Sequence, residues 1–227
     1  MSLSDLNKEL ALCNKCPRFL RWASTRKGIK KEYSDCDYWG KPVPGFGNHH
    51  GRLLIIGLAP GAHGANRTGR PFTGDVAGDY LIRALHRHGF SNKPFSKDRQ
   101  DGLVLFDTYI TNAVRCAPPK DLPEDTEFIA CRYFLHREMK ELTNVKVILV
   151  LGEKAFGQVK DVLQEQGANM KNVVFQHEAV YRLDNNYPCL VVSYHTSQRN
   201  INRKIISEEK LDKLFKKVTR ELKNSSL

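Results

Sequence analysis

The chain predicts an α/β fold, a largely parallel sheet covered by helices on both faces. Three observations predict it. Short apolar runs alternate with stretches of helical periodicity. Several of those runs empty into polar loops, as strands do at the carboxyl edge of an open sheet. The 227 residues suffice for one large core, and nothing in the pattern forces a second domain, so residues 1–227 are expected to form one unit.

Taken in order, residues 4–12 place Leu6, Leu10 and Leu12 behind Ser4 as a cap, predicting a short helix that delivers Cys13 before Pro17 stops it. Residues 18–50 interleave bases (Arg18, Arg21, Arg26, Lys27, Lys30) with aromatics (Trp22, Tyr33, Tyr38, Trp39). That mixture suits either a surface loop folded over a core or a track for a nucleic-acid strand. Strands are expected at 52–58, 103–111 and 145–151, with helices at 76–88, at 124–142 and after Gly152. Residues 173–175, 179–183 and 190–194 read as further strands, with Asp184-Asn-Asn-Tyr-Pro188 as the turn before the last. A final helix at 207–223 lines up Leu211, Leu214, Phe215, Val218 and Leu222 on one face, with lysines opposite.

The 36 Lys+Arg against 25 Asp+Glu give a formal charge of +11, which favours a polyanionic partner, nucleic acid first. No stretch approaches the roughly 18 apolar residues of a membrane span. The amino terminus is too polar for a signal peptide, so an intracellular place is expected. In a reducing compartment six cysteines point to metal ligation rather than disulfides. Cys13-x-x-Cys16 is the close pair, Cys116 and Cys131 are the natural other two, and Cys36 and Cys189 are left free. The spacing suits an iron–sulfur cluster or an irregular zinc site equally.

Residues 57–75, Gly-Leu-Ala-Pro-Gly-Ala-His-Gly-Ala-Asn-Arg-Thr-Gly-Arg-Pro-Phe-Thr-Gly-Asp, follow the run Leu53-Leu54-Ile55-Ile56 and carry five glycines. Glycine lets backbone come close to a ligand and adopt positive φ. Two more polar loops begin at Asn112 and at His195. If their strands are parallel, Asp75, Asn112 and His195 meet in one cleft as a carboxylate, a bidentate amide and an imidazole. Asp75 also fits as the cap of the helix that follows, Asn112 as a turn residue, and Phe72 as either core plug or stacking platform. His63 is left without a role. The loop lacks both the Gly-Lys-Ser/Thr ending of a P-loop and the Gly-x-Gly-x-x-Gly order, which disfavours ATP and NAD.

The 57–75 stretch, Thr111-Asn-Ala-Val-Arg-Cys-Ala-Pro-Pro119 and His195-x-Ser-x-x-Asn200 resemble the iron–sulfur uracil-DNA glycosylases of the prokaryotic B type, also called family five. The resemblance runs from Cys13 to about Asn200. It implies a three-layer α/β/α sandwich around a four-stranded parallel sheet, and an amino-terminal segment tied down by a structural [4Fe–4S] cluster on Cys13, Cys16, Cys116 and Cys131. It further implies that Phe72 stacks on a flipped base, Asn112 pairs with its polar edge, and the backbone at Gly61 and Ala62 lines the pocket. His195 would face the base oxygen that gains charge, and Asp75 would serve the sugar. Ser197, Gln198, Arg199 and Asn200 would enter the duplex.

The implied partner is DNA containing deaminated bases, and the implied product an abasic site, the first step of base excision repair in a prokaryote. A monomer is expected, because no long exposed apolar face calls for a partner. No Schiff-base lysine stands out, so lyase action is not expected. Two positions depart from relatives. Leu58 stands where the A type carries an acidic residue, as in the B type generally, and Gly61 stands where the B type often has alanine. The glycine suggests a roomier pocket that also takes hypoxanthine, xanthine or modified uracils. The competing readings are a non-catalytic metal-cluster module that binds nucleic acid, and a redox carrier.

Overall fold

The computed structural model describes residues 2–27, 29–184 and 187–225. The chain opens with α1 (Leu3–Ala11), closed by a capping box in which Ser2 and Asp5 satisfy each other's backbone N–H groups. Next comes α2 (Pro17–Ser24), with proline in its first turn, where a missing N–H costs nothing. Then follow β1 (Phe46–Gly47), β2 (Leu53–Gly57), α3 (Ala65–Thr68), α4 (Val76–Arg87) and β3 (Thr108–Asn112). The remaining elements are α5 (Asp125–Glu141), β4 (Val147–Leu151), α6 (Glu153–Glu165), β5 (Val180–Tyr181), β6 (Cys189–Ser193), α7 (Gln198–Asn202) and α8 (Glu208–Asn224).

The strands form one six-stranded mixed sheet in the order β1-β3-β2-β4-β6-β5. Pairings among β3, β2, β4 and β6 are parallel, while the two-residue strands at the edges pair antiparallel. Along each inner strand, side chains alternate between two cores. Leu54, Ile56, Ile148, Val150, Leu190 and Val192 pack with α1, α5 and α6, whereas Leu53, Ile55, Leu149 and Val191 pack with α4 and α8. Burial on both faces is why these strands read as unbroken apolar runs rather than alternating ones. Strand β2 has β3 on one side and β4 on the other, so the winding reverses there and opens a crevice beyond the carboxyl ends.

Several expectations are corrected. The sheet has six strands rather than four, because short edge strands add to both sides. The first helix is capped by Ser2, not Ser4, and Pro17 starts a helix instead of ending one. Residues 103–106 pair with 90–92 rather than joining β3, and Asp107 at φ 50 breaks the path between them. Residues 173–175 form no strand; side chains take their carbonyls, Lys160 that of Val173 and Tyr181 that of Val174, both at 2.7 Å. Of 179–183, only Val180 and Tyr181 form a strand, with the Ala179 carbonyl accepting from Val192 N at 3.0 Å just before it. In the 184–188 turn, residues 185 and 186 lie outside the described residues.

Behind the sheet's carboxyl edge, Arg115 and Glu138 form a fully buried ion pair at 2.6 Å. Glu138 also accepts from the Tyr109 hydroxyl at 3.2 Å, and Arg115 donates to Thr111. The network joins β3 to α5, the helix that carries Cys131.

Candidate active site

The glycine loop is shaped by close approach. A Cβ on Gly57 would lie 2.7 Å from both Asn112 Oδ1 and the Phe72 ring, so glycine alone lets the two side chains meet over the end of β2. Phe72 itself sits in the left-handed region at φ 49, a conformation held only where the surroundings impose it. Its buried ring stacks against His195, centroids 5.7 Å apart and planes 29° apart. Arg67, in the unforeseen helix α3, staples the loop by donating to the carbonyls of His63 at 2.8 Å and Gly74 at 3.3 Å.

Asp75 is the cap of α4, its Oδ1 accepting from Gly78 N at 2.9 Å, as the plainer sequence reading holds. Its other oxygen occupies a slot beside two glycines, where a Cβ on Gly61 would come within 3.0 Å and one on Gly64 within 1.9 Å. Burial pushes the carboxyl above its ordinary range, and the amides of Gly78 and Ala77 pull only partly the other way.

Asn112 closes β3 opposite Gly57 and is no turn residue; it is 4% exposed. Its side-chain amide makes no hydrogen bond to any described residue. His195 follows β6, and burial alone pushes its imidazole down to about 4, so the ring is neutral near pH 7. No described residue bonds to that ring. Its main chain is held instead: Asn200 donates to the His195 carbonyl at 2.8 Å, and neighbouring Thr196 donates to the Ala77 carbonyl at 3.0 Å.

Phe72, Asp75, Asn112 and His195 line a single cavity of about 730 Å³, together with Gly61 and Ala62. The three loops therefore converge as their parallel strands require. The end of the third loop, residues 197–200, divides. Ser197 caps α7, and both Ser197 and Gln198 line the cavity, whereas Arg199 and Asn200 do not. Arg199 is exposed, and Asn200 turns inward to hold His195. The cavity is completed by residues the sequence did not single out as a site, among them Lys30, Glu32, Tyr33, His63 and Asp121. The mixture of bases and aromatics at 18–50 was the only signal for two of them, Lys30 and Tyr33.

Cys13, Cys16, Cys116 and Cys131 come from the α1–α2 turn, the loop after β3, and α5, and they line one small apolar pocket with Leu10, Phe19 and Phe134. The amino-terminal part is fastened there by Arg18, which forks onto Glu127 at 2.7 and 2.5 Å. Burial pushes the Cys131 thiol up to about 11, held back by Arg115, whose backbone N–H donates to the sulfur at 3.3 Å. Burial, reinforced by the other three thiols, pushes Cys116 up as well. Among the described residues, no group of three His, Cys, Asp or Glu side chains is arranged to hold a single metal ion.

A buried amide and a half-buried imidazole, both without a described partner, beside a half-buried carboxylate and above an aromatic floor at a sheet's carboxyl edge, define a class: enzymes that enclose a flat polar ring. The uracil DNA glycosylase superfamily model matches residues 44–223. Over 218 residues the chain is 41% identical to a type-5 uracil-DNA glycosylase of Mycobacterium leprae, covering 95% of this chain and 93% of that protein. The corresponding protein of Thermus thermophilus is 43% identical over 84% of this chain and 85% of its own length. That of Pyrobaculum aerophilum is 38% identical, at 94% and 90%. The chain belongs to the type-5 uracil-DNA glycosylases.

Proposed function

We propose that this chain hydrolyses the N-glycosidic bond of deoxyuridine in DNA, releasing uracil and leaving an abasic site for base excision repair. The observation that carries the reading is that the buried Asn112 amide and the half-buried His195 imidazole have no described protein partner and share one cavity with Asp75. A buried amide with no protein partner, beside an imidazole that opens onto the same cavity, marks where a ligand's polar edge belongs.

Cleaving this bond splits charge between an oxocarbenium-like sugar and a base anion, and preorganised opposite charges lower such a barrier most. On this reading, Asp75 faces the sugar and orients the water that adds to it. Asn112 pairs with the base edge, neutral His195 donates to the oxygen that gains charge, and Phe72 stacks on the ring. Glycine rather than alanine at position 61, where a Cβ would crowd the Asp75 carboxylate at 3.0 Å, is the basis for extending the range to hypoxanthine, xanthine or modified uracils. Cleavage of uracil alone across a panel of lesion duplexes would reject that extension.

The base must first leave the stack, at a cost of a few kcal/mol that mispairing reduces and phosphate contacts offset. The four pocket thiols suit a [4Fe–4S] cluster, because an apolar wall and a backbone N–H to sulfur are what thiolate ligands need. When bound, the cluster supplies a cross-link joining the amino-terminal segment to α5 and to the loop after Asn112. The protein acts as a monomer of one domain.

The test is a labelled duplex with uracil opposite guanine, treated with alkali after incubation. Wild type is expected to cleave, and Asp75→Ala to bind DNA without cleaving. An Asp75→Ala protein with unchanged binding and no turnover lost, because the wild type has none, would favour a nucleic-acid-binding module instead.

A further inference from the structure

On the glycosylase reading, which this step assumes, most of the cavity remains after a base is seated. About 730 Å³ is the size of a site for a drug-sized molecule, several times a pyrimidine ring. Phe72, Asn112 and His195 serve the base, whereas Lys30, Tyr33 and His63 complete the wall from the amino-terminal segment and the glycine loop. Phe72 and Asn112 are buried and Lys30 is exposed, which places Lys30 at the rim.

His63 is held at two points. Arg67 Nε donates to its carbonyl at 2.8 Å, and the Tyr38 hydroxyl lies 2.8 Å from its Nδ1, the rings meeting edge to face with centroids 6.0 Å apart. With Nδ1 engaged, Nε2 is the ring's one remaining polar atom. Burial keeps the imidazole neutral, reinforced by Lys30, Arg26 and Arg67, while Asp121 is the carboxylate that opposes them. Glu32 shares the rim and acts on the Tyr33 hydroxyl. Around His63 and this rim, then, three cations face two anions, and Nε2 is the ring atom left to meet a ligand. That is an anion's environment.

We propose that His63 is a positioning residue that grips a phosphate flanking the extruded nucleotide through Nε2–H, and so sets the sugar against Asp75. The Tyr38 hydroxyl can serve either ring tautomer, and an anion at Nε2 selects the one in which Tyr38 donates to Nδ1. Lys30 adds charge at the same rim.

Three substitutions separate this from a packing role. His63→Gln carries an amide nitrogen to the place of Nε2, His63→Asn carries one only to the place of Nδ1, and His63→Ala carries none. Each is titrated against a duplex bearing 2′-fluorodeoxyuridine, which resists cleavage, and against the same duplex with uncharged methylphosphonates flanking the lesion. On the normal duplex, His63→Ala and His63→Asn are expected to bind about ten- to a hundredfold more weakly, and His63→Gln to recover most of the loss. On the methylphosphonate duplex the three variants and wild type converge. Because the imidazole is neutral, the salt dependence of binding stays unchanged in His63→Ala but drops by about one in Lys30→Ala.

Equal losses on both duplexes, or His63→Asn matching His63→Gln, would overturn the proposal and leave the glycosylase reading intact. A wild type that releases no uracil would overturn both.

Discussion

Asp75 has two jobs in this structure, and one substitution separates them. Asparagine keeps a side-chain oxygen that can accept from Gly78 N, so Asp75→Asn preserves the cap of α4 while deleting the charge. Alanine deletes both. The cap is worth about 1 kcal/mol, so Asp75→Ala should melt about 2–4 °C below wild type in a chain of this size. Asp75→Asn should melt at or above wild type, because it also removes a carboxylate that burial disfavours. Both should lose excision by about 10²–10³-fold, the effect of removing one preorganised group facing developing charge, or roughly 3–4 kcal/mol of barrier. The assay is single-turnover release of uracil with enzyme in excess, beside thermal denaturation of the same samples. Asp75→Asn within tenfold of wild type would refute the reasoning, since the carboxylate would then be a cap and nothing more.

Other outcomes follow from the same geometry. Excision requires ionised Asp75, whose pKa is raised, so the rate should fall with pH at values above the ordinary carboxylate range. That acid limb is expected to vanish from the residual rate of Asp75→Asn. His195 titrates near 4 when folded against about 6.5 when unfolded, so its contribution to stability is full above pH 6.5 and is lost as pH falls towards 4. Denaturation midpoints should drop across that window, by about 3 kcal/mol of unfolding free energy at its foot, and His195→Gln should flatten the drop. Glu138→Gln leaves Arg115 charged and buried without its counter-ion, and should cost about 3–5 kcal/mol in chemical denaturation, whereas an exposed pair such as Lys8 with Asp5 should cost under 1. Cys131→Ala should make the amino-terminal segment far more sensitive to limited proteolysis than the 53–57 strand, because that segment relies on the pocket of four thiols.

The inner strands were legible because β2 and β4 are buried on both faces, which leaves an unbroken apolar run in the sequence. The long helices were legible from their apolar stripes. The edge strands were not, since two residues such as Phe46 and Gly47 carry no period. Val173 misled because it is buried like a strand residue, yet side chains rather than a neighbouring strand take the carbonyls around it. At the site, Asn112 and His195 were legible because they lie at or just beyond the end of a strand, where parallel register brings the ends together, and Asp75 because it caps the helix at the far end of the glycine loop. Lys30, Tyr33 and Asp121 were not, because they reach the cavity by tertiary folding of segments far from it in sequence. His63 stood in the most informative loop, but its significance depends on Tyr38, 25 residues away.

The central claim is that the partnerless amide and imidazole at the end of the sheet receive a uracil. It is tested most directly by identifying the product: cluster-loaded protein in excess over duplexes that differ only in carrying uracil, thymine or cytosine opposite guanine, with the released base identified by mass. The account predicts one equivalent of free uracil per uracil site, an alkali-labile abasic strand, at most slower release from the thymine duplex, and nothing from the cytosine duplex. An intact uracil duplex, or equal release of thymine or cytosine, would contradict it.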